Sequence, residues 1–149
     1  MTTTQTEVVA TNCVILMDNA ANVLVDISGS LNSVSYNPSN TVAEWHTFGT
    51  QWVQRRVIHK DMPLTLKAVY STLATETAQF TENWFFGGND ATRTVMIYIP
   101  DTGVGAATLS GEFVLESYSV ELDAEADDVV RVEINLLPDN VVTRATNVT

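Results

Sequence analysis

The 149-residue sequence predicts a mainly β protein: a β-sandwich or barrel of two packed antiparallel sheets flanked by one α-helix at about residues 71–86. Three observations lead there. Short β-branched and aromatic runs alternate apolar and polar residues with period two, as half-buried strands do. A single segment carries a helical period instead. Hydrophobic residues make up 45% of the chain and charged residues 17%, enough apolar material for one core and too little charge for a disordered polyampholyte. Residues 1–149 are therefore expected to form a single domain.

Along the chain, Val14–Met17 and Val23–Asp26 flank Asp18-Asn19, which reads as a hairpin turn, and Leu31–Tyr36 follows Ser28-Gly29. Residues 37–60 hold Pro38, Gly49, two tryptophans, both histidines and two adjacent arginines, without clean alternation before Trp52. This stretch reads as a long loop with partial strand character, and such loops are usually functional. Met62, Leu64, Leu66, Ala68 and Tyr70 share one strand face, with Pro63 at its end. Leu73, Thr77, Phe80 and Trp84 then form a helical stripe, with Ser71 or Thr75 as N-cap and Gly87-Gly88 as the stop. Arg93, Val95, Ile97 and Ile99 mark the next strand, closed by Pro100, and Gly103 to Gly105 read as a hairpin tip.

The run Thr108–Leu122 changes parity. Leu109, Phe113 and Leu115 are odd, whereas Tyr118, Val120 and Leu122 are even, so a bulge or bend is expected near Glu116-Ser117. Val130, Val132, Ile134 and Leu136 define a last strand. The ends, 1–12 and 138–149, look too polar to dock on their own core and read as an N-terminal and a C-terminal arm.

Charge excludes more than it identifies. Eighteen acidic against seven dispersed basic residues give a formal charge of -11, so tight nucleic-acid binding is not expected. Cys13 stands alone in an apolar run, which excludes an intrachain disulfide framework and reads as a buried small hydrophobe. His46 and His59 lack a third ligand at a familiar spacing. Asp123 to Asp128 superficially resembles a calcium loop, but Asp128 stands where glycine is needed and Ile134 where the bidentate glutamate would fall. A solvated turn is the better reading.

Gly103 to Gly105 lacks the third glycine of a dinucleotide loop. Glu112 and Glu116 could serve a glycosidase, yet acids are plentiful and their spacing carries little. The sequon Asn147 to Thr149 reads as a chance match. No apolar run approaches a membrane span, and the polar start lacks a secretory pattern. No catalytic, cofactor-binding or metal site is expected, and no enzyme. What stands out is acid: nine acidic residues and one basic residue, Arg131, lie between Glu112 and Asp139. That is a solvated face or a surface that repels a polyanion.

Three stretches, Val25 to Val34, Trp45 to Gly49 and His59 to Leu66, occur in an order that resembles the major tail tube proteins of long-tailed bacteriophages. The resemblance spans about residues 13–137. It implies stacked hexameric rings forming a conduit for the genome, a homo-oligomer that contacts other tail proteins, with DNA passing through without specific binding. The implied location is the virion tail, reached from the host cytoplasm during assembly.

Within that reading the acid would line the lumen through Glu112, Glu116, Asp123 and Glu133. Ring stacking would use Trp45, Phe48 and Trp52 as anchors, with Arg55 and Arg56 reaching acid at residues 125–128 of a neighbour. The competing expectation for Trp45 and Trp52 is core filling. Alternatives are a tube protein of a related injection device, a β-sandwich carbohydrate-binding module presenting Trp45 and Trp52, or a small hydrolase using Glu112 and Glu116.

Overall fold

The computed structural model describes residues 13–19, 21–72, 77–87, 91–99, 105–125 and 129–146. Ten strands and one helix follow in order: β1 (Val14–Asp18), β2 (Leu24–Asp26), β3 (Leu31–Tyr36), β4 (Ser39–Trp45), β5 (Gln54–Asp61), β6 (Leu64–Val69), α1 (Thr77–Phe86), β7 (Arg93–Ile99), β8 (Ala107–Glu121), β9 (Arg131–Pro138) and β10 (Thr143–Thr146). The first turn forms as its residues require. Asn19 Oδ1 accepts from the amides of Ala21 and Val23 at 2.8 and 3.1 Å, and Asn22 takes the left-handed conformation that asparagine tolerates.

Eight strands form one antiparallel sheet in the order β2-β1-β7-β8-β9-β6-β3, with β10 also on β8. The fifteen-residue β8 is the spine. Its first half pairs with β7 and its second half with β9, and the register shifts between Leu115 and Ser117. The expected bulge is there, at Glu116. It lets the strand leave one layer and enter the other while keeping apolar side chains inward.

The sheet thus folds over itself into a sandwich. One layer is β2, β1, β7, β10 and the first half of β8; the other is β3, β6, β9 and the second half of β8. Ile15, Met17, Val95, Ile97 and Phe113 from the first face Leu64, Leu66, Ile134 and Leu136 from the second, all buried in one cluster. Each fully buried side chain of this size contributes about 1.5–3 kcal/mol.

Helix α1 closes one end of the sandwich. Phe80 and Trp84 enter the core, and Ala78 packs with Ala68 and Val132. The amide of Thr77 donates to Ser30 Oγ at 3.0 Å, and Thr77 Oγ1 donates to the Ile27 carbonyl at 3.2 Å, so the loop before β3 anchors this helix from a distance. Arg93 is 6% exposed, with its guanidinium 5.1 Å from the Phe80 ring and 5.0 Å from the Trp84 ring. Burial lowers its pKa, a shift Asp18 opposes. Tyr70 and Tyr118 both donate to Glu82, at 3.4 and 3.1 Å, and burial followed by that hydrogen bond pushes the Tyr118 phenol well above its usual range.

Several expectations change. Residues 37–60 are more strand than loop: β4 and β5 pair from Ser39↔Asp61 to Trp45↔Gln54, with a register shift between Thr41 and Val42, and residues 46–53 connect them outside the strands. The C-terminal stretch does dock on its own sheet, through β10 on β8. Gly111 permits this, because a Cβ there would lie 3.1 Å from Val142 Cγ2. Cys13 is half-buried rather than buried. The described helix starts at Thr77, six residues past Ser71. The proposed cap Thr75, the stripe residue Leu73, Gly88, the glycine tip at Gly103, the sequon, residues 1–12 and the acidic pair Asp127 and Asp128 lie outside the described residues.

Candidate functional site

The β4–β5 hairpin is the most unusual surface. Of its strand residues only Ala43 is even half-buried. Seven strand residues reach about 23 Å at 3.3 Å per residue. Core filling by the tryptophans is ruled out: Trp45 is 39% and Trp52 83% exposed, and Phe48 is fully exposed. Gly49, at φ 87°, turns the tip in a conformation that other residues resist.

Register divides the stacking candidates. Trp45 and Arg56 lie on one face of the hairpin, because Ala43 is opposite Arg56 and Trp45 is opposite Gln54. Arg55 lies on the other face, held by Glu44 with Nε to Oε1 at 2.8 Å beside the Val42–Val57 pair. That ion pair is more than half exposed and is worth only about 0.2–1 kcal/mol. Phe48 and Trp52 belong to the tip. A two-stranded ribbon is at best marginally stable alone in water, and this one exposes Val42, Val57, Ile58 and two tryptophans, an apolar patch of the kind that marks interaction surfaces.

Charge follows the same division. Residues 39–61 hold Arg55, Arg56 and Lys60 against Glu44 and Asp61, a net +1 in a chain of -11. The remainder therefore carries -12, opposite in sign to the hairpin.

The four lumen candidates do not form one cluster. Glu112 lies on the outer face of the first layer, where it accepts from the Thr94 hydroxyl. Glu116 sits exposed at the bulge. Asp123 follows β8 and accepts from the Glu125 amide at 3.0 Å. Glu133 lies on the outer face of the second layer, opposite Lys67 and Ser119. Glu112 and Glu116 are both exposed.

At the end of the sandwich opposite the helix, Tyr36, Met62, Ile99, Leu109 and Val142 border an open cavity of about 830 Å³ at the hairpin's base. Sequence reasoning missed this cavity and β10 alike, since both depend on which distant strands meet. His46 and His59 acquire no third ligand, and no group of metal-ligating side chains occurs among the described residues. No helix among them is long and apolar enough to cross a membrane.

The architecture is a sandwich closed by one helix and carrying a projecting hairpin, and solved structures share its overall fold. Neither a family model nor a curated protein matches the sequence. Among solved structures, a chain of the anti-feeding prophage baseplate, six-fold symmetrised, aligns at TM-score 0.75 and 11% identity over 95% of this chain and 97% of that one. The SPP1 tail tube aligns at TM-score 0.74 and 9% identity, over 96% and 81%. The tail of an empty gene transfer agent particle, refined with C6 symmetry, aligns at TM-score 0.69 and 14% identity, over 90% and 96%. The chain has the tail-tube fold seen in these phage-tail and injection-system assemblies.

Proposed function

We propose that this chain is a structural tube protein, forming hexameric rings that stack into a conduit in a phage tail or a related injection device, and that it is not an enzyme. The hairpin carries the reading: a net-positive, aromatic-tipped ribbon without a footing on its own core is a device for joining copies. The likeness to six-fold symmetric assemblies supports the ring number. In the ring, adjacent subunits join sheets edge to edge, because β3 and β2 end the sheet among the described residues.

Trp45, Phe48, Trp52, Arg55 and Arg56 make the ring-to-ring contact. Glu116, Asp123 and Glu133 face the lumen, and Glu112 adds to the surrounding acid. DNA passes without being held, other tail proteins cap the tube, and assembly precedes incorporation in the virion tail. Negative-stain imaging of the purified chain tests this: rings or tubes support it, and a monodisperse monomer at all concentrations and salts overturns it. The same images dispose of a carbohydrate-binding module, which would be monomeric and retained on a polysaccharide column through Trp45 and Trp52.

A further inference from the structure

The two outer faces of the sandwich are chemically unlike. On the first layer, Leu16 lies opposite Met96 and Val14 opposite Tyr98, an apolar band with hydroxyls beside it. On the second, strands β3, β6, β9 and β8 align polar residues in rungs. Ser35, Thr65, Asn135 and Ser117 form one rung, entirely neutral. Ser33, Lys67, Glu133 and Ser119 form the next, and Arg131 lies between Val69 and Glu121 in the third. Lys67 is thus directly opposite Glu133, and Arg131 directly opposite Glu121. In a chain of -11, this band sums to zero.

We propose that this second-layer face is the wall of the channel, and that its centre is self-neutralised so that a long charged polymer slides past without being held. The proposal rests on the tube reading above and adds to it which face meets the cargo and how that face avoids binding it. A phosphate backbone adheres to uncancelled cations. Here each cation has a carboxylate across the ladder, where directly opposed side chains stand about 5 Å apart.

Polar groups hold a polymer through free donors, but the first rung directs its donors sideways. Thr65 Oγ1 donates to Asn135 Oδ1 at 3.0 Å, and Asn135 Nδ2 donates to Ser117 Oγ at 2.9 Å. Apolar side chains would adhere to exposed bases or polypeptide, and the apolar band is on the opposite layer. Acid without a cation directly opposite lies beyond the rungs, at Glu116 on one side and Asp123 on the other, where it repels a polyanion.

Thiol labelling of assembled tubes tests the assignment. In a Cys13→Ala background, Ser33→Cys and Ser119→Cys mark the second-layer face and Thr143→Cys the first, where it lies opposite Ser110. Each variant meets a small maleimide, then a maleimide carried on a globular protein too wide for the channel. The expected result is that Ser33→Cys and Ser119→Cys take the small reagent while the carried one falls to background, and that Thr143→Cys takes both. Full labelling of Ser119→Cys by the carried reagent overturns the proposal, as does protection of that thiol from both.

Tubes of Glu133→Lys should also retain a short single-stranded DNA that wild-type tubes pass and that salt releases. Equal retention by the two places the face off the channel. If the wild-type chain forms no rings at all, the tube reading falls first and this assignment with it. If rings form with the labels reversed, only this assignment falls.

Discussion

The guanidinium of Arg93 is buried between two aromatic rings and donates to the Asp18 carbonyl at 3.3 Å, tying the helix to β1 and β7 at once. A desolvated cation over a ring is worth about 1–2 kcal/mol, and truncation leaves a cavity besides. Arg93→Ala should therefore lose about 3 kcal/mol in urea unfolding, with Arg93→Lys intermediate because a point charge cannot stack.

Tyr118 supplies a pH signature. Its phenol titrates above the ordinary range when folded, chiefly through burial, so its contribution is fully present below about pH 10 and is lost as pH climbs toward the folded value. Stability should fall above about pH 10, and the fall should be shallower in Tyr118→Phe; ultraviolet titration should show one of the four tyrosines ionising late.

At the scale of elements, the bulge in β8 sets which side chains point inward on the second half of the strand. Inserting one serine after Glu116 turns Tyr118 and Val120 outward and should abolish soluble folded protein, whereas the same insertion after Gly49 in the tip should leave the melting temperature unchanged. The hairpin makes the opposite kind of prediction. Trp52 and Arg55 support no core, so Trp52→Ala with Arg55→Ala should shift subunit stability by less than about 0.5 kcal/mol while stopping rings from elongating, read by light scattering.

These elements also show what sequence could reveal. The parity slip at Glu116 was legible because both halves of β8 face a core. Residues 37–60 were not, because a strand exposed on both faces has no inward set, and the register shift at Thr41 breaks what alternation there is. The aromatic and arginine content still singles out that stretch, and the structure leaves those side chains exposed. β10 escaped notice since Thr-Arg-Ala-Thr is held by backbone ladder alone. The lumen candidates follow from an acid-rich stretch lying on or beside strands, and strand order separates Glu112 from Glu133.

On the scale of the whole molecule, the proposed ring would be opposed by electrostatics at long range and favoured locally. Six copies would carry a formal -66, six times -11, while each presents one net-positive hairpin. Raising salt from about 0.01 M to about 0.15 M shortens the screening length from about 30 Å to about 8 Å, which removes ring-to-ring repulsion before it weakens contact pairs. Assembly followed by scattering should accelerate over that range. A steady slowing would mean that the hairpin's charges dominate.

The double role of β8 has a consequence for cooperativity. Its amides and carbonyls belong to the ladders of both layers, so neither layer can open while the other stays intact. Hydrogen exchange along β8 should then proceed only through global unfolding, giving a single stability value from Ala107 to Glu121. β4 and β5 share no ladder with that sheet, and in the free subunit their amides should exchange by local fraying at a far lower cost. A subunit of this kind is rigid where its layers are joined and compliant where it reaches outward.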